Sequence, residues 1–186
     1  MNGIRVSAFI ATSLDGFIAR ECGELDWLDA ANATVPNGED CGYADFFSTI
    51  DVLVMGRKSF EKVLSFGVWP YGETKSVVLS HSAVTFPNDL PKSISSSTEE
   101  PSALLERLSR EGASHIYLDG GVTIQSFLRL GLVDEITITV IPVLLGQGIP
   151  LFGPLEQDVS LNLISSKSYD FGFVQTKYGV SKDQGR

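Results

Sequence analysis

A mostly parallel α/β sheet with an antiparallel edge is the architecture this sequence predicts, and three observations predict it. Apolar runs of strand length alternate with helix-like segments through most of the chain, the pattern of βαβ units. Two of those runs end in glycine and pass directly into an amphipathic segment, VLVMGRKSFE (Val52 to Glu61) and IYLDGGVTIQSF (Ile116 to Phe127). From Glu135 the pattern changes to Ile and Val alternating with Thr, followed by two more strand-like stretches ending near Val180, which suit hairpin pairing.

The elements follow in order. Ile4 to Ala11 is mainly apolar with β-branched members and leads into Ser13-Leu14-Asp15-Gly16, a strand ending in a turn. Gly23 to Asn32 carries Leu25, Trp27 and Leu28 with two aspartates; Asn37-Gly38 marks a loop, and Tyr43 to Phe47 reads as one short helix. Val52 to Met55 is almost wholly apolar, as a strand buried on both faces must be. Phe60, Val63 and Leu64 fall at i, i+3 and i+4 and lay an apolar stripe on that sheet until Gly67. Ser76 to Leu79 is a second strand, and Ser93 to Pro101 reads as a short loop. Pro101 in a first turn, Leu104, Leu105 and Leu108 on one side and Gly112 past the end make a complete helix signature. Ile116 to Leu118 is the next buried strand, and Ile124, Phe127 and Leu128 begin a stripe that Gly131 ends. Glu135 to Ile141 is a strand, and Pro142 to Phe152 is a glycine-rich, apolar connection.

With 186 residues, 43% of them hydrophobic, the chain can bury the core of one domain, expected over residues 1–180, with 181–186 as a frayed tail. The 23 acidic residues outnumber the 14 basic ones and no Lys/Arg run occurs, which argues against a sequence-independent grip on nucleic acid. Arg5 interrupts the apolar N-terminal stretch and Asp15 soon follows it, so neither a signal-peptide core nor a bilayer span is expected. Cys22 and Cys41 show no metal-binding or disulfide spacing, as in a reduced, cytoplasmic protein.

A helix entered through glycine offers unpaired N–H groups and a positive dipole end, and glycine lets a phosphate approach the main chain. Gly56-Arg57-Lys58-Ser59 adds two cations and a hydroxyl at such an entrance; the alternative is a tight turn with solvated cations. Gly120-Gly121 gives the second junction, and its alternative is a turn that needs unusual dihedrals. Two junctions of this kind suggest one ligand with several phosphates lying across a sheet. Ser80, His81 and Ser82 follow another strand end, where ligands of open α/β sheets bind. Neither GxxxxGK[ST] nor GxGxxG occurs. GxSxG and HExxH are also absent, and the two histidines, His81 and His115, are distant in sequence, which removes hydrolytic and metal-based readings; no metal ligand is assigned. Asp15 is most simply a turn residue, while Asp26 and Asp29 beside Trp27 are candidates for substrate contact.

Val52 to Ser59, Val77-Val78-Leu79-Ser80 and Asp119-Gly120-Gly121, in that order, resemble the cofactor-binding segments of the dihydrofolate reductase fold. Ser13-Leu14-Asp15-Gly16, Gly131 to Glu135 and Pro142 to Phe152 are more similar to its relative, the reductase domain of the bifunctional riboflavin-biosynthesis deaminase-reductase, as found in stand-alone bacterial proteins. The resemblance spans Val6 to about Val180. It implies a three-layer α/β/α domain with a mixed sheet of about eight strands, and an oxidoreductase that uses NADPH. By this resemblance Gly56, Arg57, Lys58 and Ser59 hold the pyrophosphate and adenosine phosphate, Ser80 and His81 lie near the 2′-phosphate, and Gly120, Gly121, Val122 and Thr123 form the second phosphate turn. Ala11 borders the nicotinamide, Ile18 sits in a mobile loop covering it, and Trp27 faces the active site.

Dihydrofolate reductases carry a carboxylate on the first helix, and the family spacing lands near Asn32 instead. An apparent insertion, Ala33 to Gly42, follows it, and Glu39, Asp40 or Asp45 stand as substitutes, so that Asp26, Trp27 and Asp45 form the expected catalytic set. The zinc-binding HxE and PCxxC patterns of the deaminase half are absent, which implies a stand-alone reductase. The expected reaction is hydride transfer from NADPH to a C=N or C=O of a small heterocycle. The first substrate by resemblance is the ribosylamino-pyrimidine of riboflavin biosynthesis, the second is a dihydropterin, and a non-catalytic NADPH-binding protein is the competing class. A homodimer is expected, through Glu135 to Ile141 or Val143 to Phe152.

Overall fold

The structure is a computed structural model that describes residues 3–182; part of the expected tail, 183–186, lies outside the described residues. Eight strands form one sheet in the order β5-β4-β3-β6-β1-β7-β10-β9. They are β1 (Arg5–Ser13), β3 (Val52–Gly56), β4 (Lys75–Leu79), β5 (Ile94–Ser97), β6 (His115–Asp119), β7 (Glu135–Ile141), β9 (Leu161–Ser168) and β10 (Val174–Val180). Pairing is parallel from β5 through β7, while β10 is antiparallel to both β7 and β9. The mostly parallel sheet with an antiparallel C-terminal edge is therefore as the sequence predicts.

Alternation along the central strands feeds two separate cores. Val52 and Val54, with Ile116 and Leu118, face α4 (Pro101–Arg110) and α5 (Gly121–Arg129), whose Leu104, Leu108, Ile124 and Phe127 are buried on that side. Leu53, Met55 and Tyr117 face the other way, against Phe60 of α3 (Arg57–Leu64) and the aromatic side chains of α2 (Tyr43–Phe47). Each fully buried Leu or Phe contributes about 1.5–3 kcal/mol of transfer free energy, so the two layers of helices are held by the sheet between them. A third cluster joins Trp27 of α1 (Asp26–Asn32) to Ile141, Tyr169 and Phe173 at the antiparallel end.

Two places differ from the sequence expectation. Residues 94–97, expected in a loop, form the edge strand β5; Ile94 packs on the core, while Ser95 and Ser96 are exposed, so one-sided packing replaces the apolar run. Phe17–Ala19 (β2) pairs with Ile149–Pro150 (β8), so Ile18 occupies a short ribbon packed on the core and not the loop expected for it. The connection around β8 is fastened there by Gln125, whose Nε2 donates to Pro150 O (3.2 Å) and Leu151 O (3.0 Å). β7 is a strand as expected and lies between β1 and β10, while every residue of β9 is exposed.

Candidate active site

Parallel pairing places the C-terminal ends of β3, β4, β5 and β6 along one rim. Gly56 ends β3 and opens α3; Gly120 follows β6 and opens α5, and neither helix has a side-chain cap. Their first N–H groups have no intrahelical acceptor, and both dipole ends point at the same crevice. The two junctions touch. A Cβ on Gly120 would stand 2.1 Å from Ser59 Oγ, and one on Gly56 would stand 3.2 Å from Thr123 Oγ1. Gly120 also has φ +89°, which side-chain-bearing residues rarely adopt. A Cβ on Gly121 would meet Ile18 Cδ1 at 2.7 Å, so the ribbon residue Ile18 closes the far side of this crevice.

A cavity of about 220 Å³ opens beside the junctions, lined by Gly56, Ser80, His81, Glu99, Val122 and Thr123 among others. Five of the residues expected to bind the cofactor thus share one wall. Arg57 and Lys58 are exposed at the same helix entrance, with Arg57 in an i,i+4 pair to Glu61 at 3.3 Å. Ser80 is held in a local turn by Ser82, and Glu99 is engaged by Arg107 and Ser97. Uncapped helix ends, close glycines and exposed cations fit a dinucleotide pyrophosphate.

The second cavity, about 490 Å³, lies on the face of β1 and β7 that carries Phe9, Ala11, Thr139 and Ile141. Its outer wall is the α1–α2 connection with Asn32, Glu39, Asp40, Cys41 and Tyr43. Gln175 fastens that wall to the sheet, because its Nε2 donates to Cys41 O and Thr139 Oγ1, both at 2.9 Å. Asp40 caps α2: its carboxylate accepts from Gly42 N and Ala44 N, both at 2.8 Å, and these bonds hold it below the usual carboxylate range. Glu39 Oε1 accepts from Cys41 N at 2.7 Å.

The residues expected for catalysis do not gather here. Trp27 is buried one layer behind the cavity, against its lining residues Ile141 and Phe173, and its indole N–H has no acceptor among the described residues. Asp26 is exposed and paired with Arg20 at 2.6 Å, and Asp45 lies on the exposed side of α2. Of the acids weighed for the missing first-helix carboxylate, the wall takes Glu39 and Asp40, and Asn32 stands where the family spacing put it.

Asp119 carries a signal that its place in a Gly-Gly motif obscured. It ends β6 on the face of Tyr117, and burial pushes its carboxyl above the usual range. Tyr43, a wall residue, and Tyr71 and Tyr117 are also pushed up, first by burial and then by the charge of Asp119. Tyr117 donates to Phe9 O at 3.0 Å, which joins this acid and tyrosine group to the cavity floor. Asp15 also does more than make a turn: it accepts from Ser13 Oγ, Leu145 N and Gly146 N, tying the end of β1 to the connection that carries β8.

A mixed sheet of this order, with glycine-entered helices at its parallel strand ends, defines a dihydrofolate-reductase-like α/β/α domain. Residues 5–175 match the RibD C-terminal domain, and the chain belongs to that family. It is 38% identical over 164 residues to YwjB of Bacillus subtilis (strain 168), an uncharacterized protein, covering 87% of this chain and 90% of YwjB. A crystal structure from Shewanella sp. PV-4, with a provisional riboflavin-biosynthesis description, superposes with TM-score 0.90 at 39% identity, over 96% of this chain and 100% of that one. The Thermotoga maritima diaminohydroxyphosphoribosylaminopyrimidine deaminase/5-amino-6-(5-phosphoribosylamino)uracil reductase shares the fold at TM-score 0.69 and 16% identity, over 96% of this chain and 57% of that one. The chain therefore carries a RibD C-terminal domain with the fold that the Thermotoga protein shares. Among the described residues no helix is long and apolar enough to cross a membrane.

Proposed function

We propose that the protein is an NADPH-dependent reductase that transfers hydride to a C=N or C=O bond of a small heterocycle. The carrying observation is the contact between the two glycine-entered helix ends, Gly120 against Ser59 and Gly56 against Thr123, at the rim shared with Ser80 and His81. Bound there, NADPH would supply the hydride and leave as NADP⁺.

The chain's own residues orient and enclose. The N–H groups of α3 and α5, with Arg57 and Lys58, bind the pyrophosphate, and Ile18 and Gly121 limit the depth of the crevice. Ala11 borders the larger cavity and sets the distance between the two reactants, the step in which an enzyme of this kind gains most from positioning. Asp119 holds a proton to higher pH than an ordinary aspartate but does not itself line the cavity; it belongs to the group whose Tyr43 does, so proton delivery to the reduced nitrogen or oxygen runs from Asp119 through Tyr43. Phe9, Tyr43 and Phe173 give the substrate flat apolar walls. For assembly, the exposed strand β9, with Leu163 at 59% and Ile164 at 53% exposure, supports a homodimer, which sedimentation equilibrium would detect.

NADPH oxidation measured against aminopyrimidine and dihydropterin substrates tests the reading. Turnover of one of them supports it, and tight NADPH binding without turnover on the panel contradicts it.

A further inference from the structure

Among the described residues, the larger cavity lacks the cations and the free helix N-terminus that most often hold a phosphate. Proteins grip phosphates with Arg or Lys, or with the free N–H groups of helix N-termini and nests. Among the described residues, no Arg or Lys lines this cavity. Among the described residues, the helix N-terminus on its wall, that of α2, is filled from within, because Asp40 already accepts from Gly42 N and Ala44 N. The N–H pair of Leu145 and Gly146, in the connection that follows β7, is likewise taken by Asp15. Lys167 lies near Cys41 but stands over the Tyr169 ring, 4.2 Å from its centroid, and is not part of the wall. The wall adds negative charge instead, through Glu39 and Asp40.

Resting on the reductase reading above, we infer that the substrate of this site is an uncharged or cationic amino-substituted heterocycle without a phosphate. A phosphate monoester brings about −1.5 to −2 charges at neutral pH. Beside two carboxylates in a partly enclosed cavity it would be repelled, with only neutral side-chain donors such as Asn32 and Tyr43 to meet it. An amino or ring N–H group instead finds acceptors in Glu39, Asn32 and Thr139 between the aromatic walls. The chain therefore separates its chemistry: phosphate recognition belongs to the glycine junctions and the cofactor, and the substrate is selected by acceptors and flat surfaces.

The test is calorimetric titration of the NADP⁺-saturated protein with a matched pair, 5-amino-6-(5-phosphoribosylamino)uracil and the same compound without its phosphate. The dephosphorylated compound is expected to bind at least about tenfold more tightly, a difference of about 1.4 kcal/mol. Glu39→Lys is expected to bring the two affinities within about threefold, through the charge it reverses at the wall. Equal or tighter binding of the phosphorylated compound by the wild-type protein would overturn the inference, as would a ratio unchanged in Glu39→Lys. Binding of neither compound, with NADP⁺ still bound, would overturn the substrate class while leaving the cofactor assignment standing. Failure to bind NADP⁺ at all would contradict the reductase reading itself.

Discussion

The rim that carries Gly56 and Gly120 and the wall formed by residues 32–43 flank the same sheet but are built on different principles. At the rim, the backbone is what lies exposed to a ligand: two uncapped helix ends meet with Ser59 and Thr123 packed between them, and two cations stand at the entrance of α3. At the wall, side chains line the space, and the first backbone donors of α2 are taken internally by Asp40. The first design suits a ligand part that stays constant, such as a pyrophosphate. The second can be changed residue by residue without disturbing the sheet, which is where relatives sharing one fold can differ in substrate.

That contrast can be broken most directly at Gly120. Gly120→Ala forces a Cβ into Ser59 Oγ at a φ of +89°, and NADPH affinity should fall roughly 100-fold, about 2.7 kcal/mol, by calorimetry. Retained affinity would mean that the rim tolerates side chains and is not a close backbone cradle. Asp119→Asn tests the acid and tyrosine group that lies between the two regions. It should lower kcat by on the order of 100-fold with KM nearly constant, since the amide keeps the shape but cannot give up a proton. The sign in pH follows from its raised pKa: wild-type turnover should fall as pH rises through that value, and the variant should lose this alkaline limb.

Arg57→Ala should produce a smaller effect, about tenfold on NADPH affinity, because Arg57 is solvent-exposed and only one of two cations at the entrance. NADH should bind more weakly than NADPH if Arg57, Ser80 and His81 meet the 2′-phosphate; equal affinities would remove that assignment. The smallest effect belongs to neither region. His115 sits at the opposite strand ends, bonded to Ser7 Oγ at 2.9 Å and Thr49 Oγ1 at 3.0 Å, with burial and then Arg5 lowering its pKa beneath 6.5 against the weaker pull of Glu135 and Asp51. A lowered folded-state value means that its contribution to stability is fully present above about pH 6.5 and is lost as pH falls through the folded value. Melting curves between pH 7 and 5 should show a decline that His115→Gln reduces, with NADPH affinity at pH 7 unaltered.

How much of this was legible in the sequence follows the same division. Val52 to Ser59 and Ile116 to Thr123 announced a buried strand, a glycine and an amphipathic helix in one continuous stretch, and the structure places them together. The short strands were hidden because their physical signals are weak: Ile94–Ser97 has one apolar residue, and the β2–β8 ribbon pairs segments far apart in the chain. The wall was the least legible part. Residues 33–42 have no periodicity, and whether an acid in such a loop lines a cavity, as Glu39 does, or faces only solvent depends on contacts with Gln175 that no local pattern encodes. Asp26 and Trp27 looked equivalent as neighbours on a helix, yet successive helical residues point about 100° apart; one reached Arg20 on the surface and the other the core.

The central claim, one dinucleotide held at the rim with its reactive ring facing the larger cavity, is tested most directly by a crystal structure with NADPH bound. The account predicts the pyrophosphate between the N-termini of α3 and α5 and the nicotinamide ring against Ala11, open towards Asn32 and Glu39. A cofactor bound elsewhere, or one whose nicotinamide points away from that cavity, would contradict it.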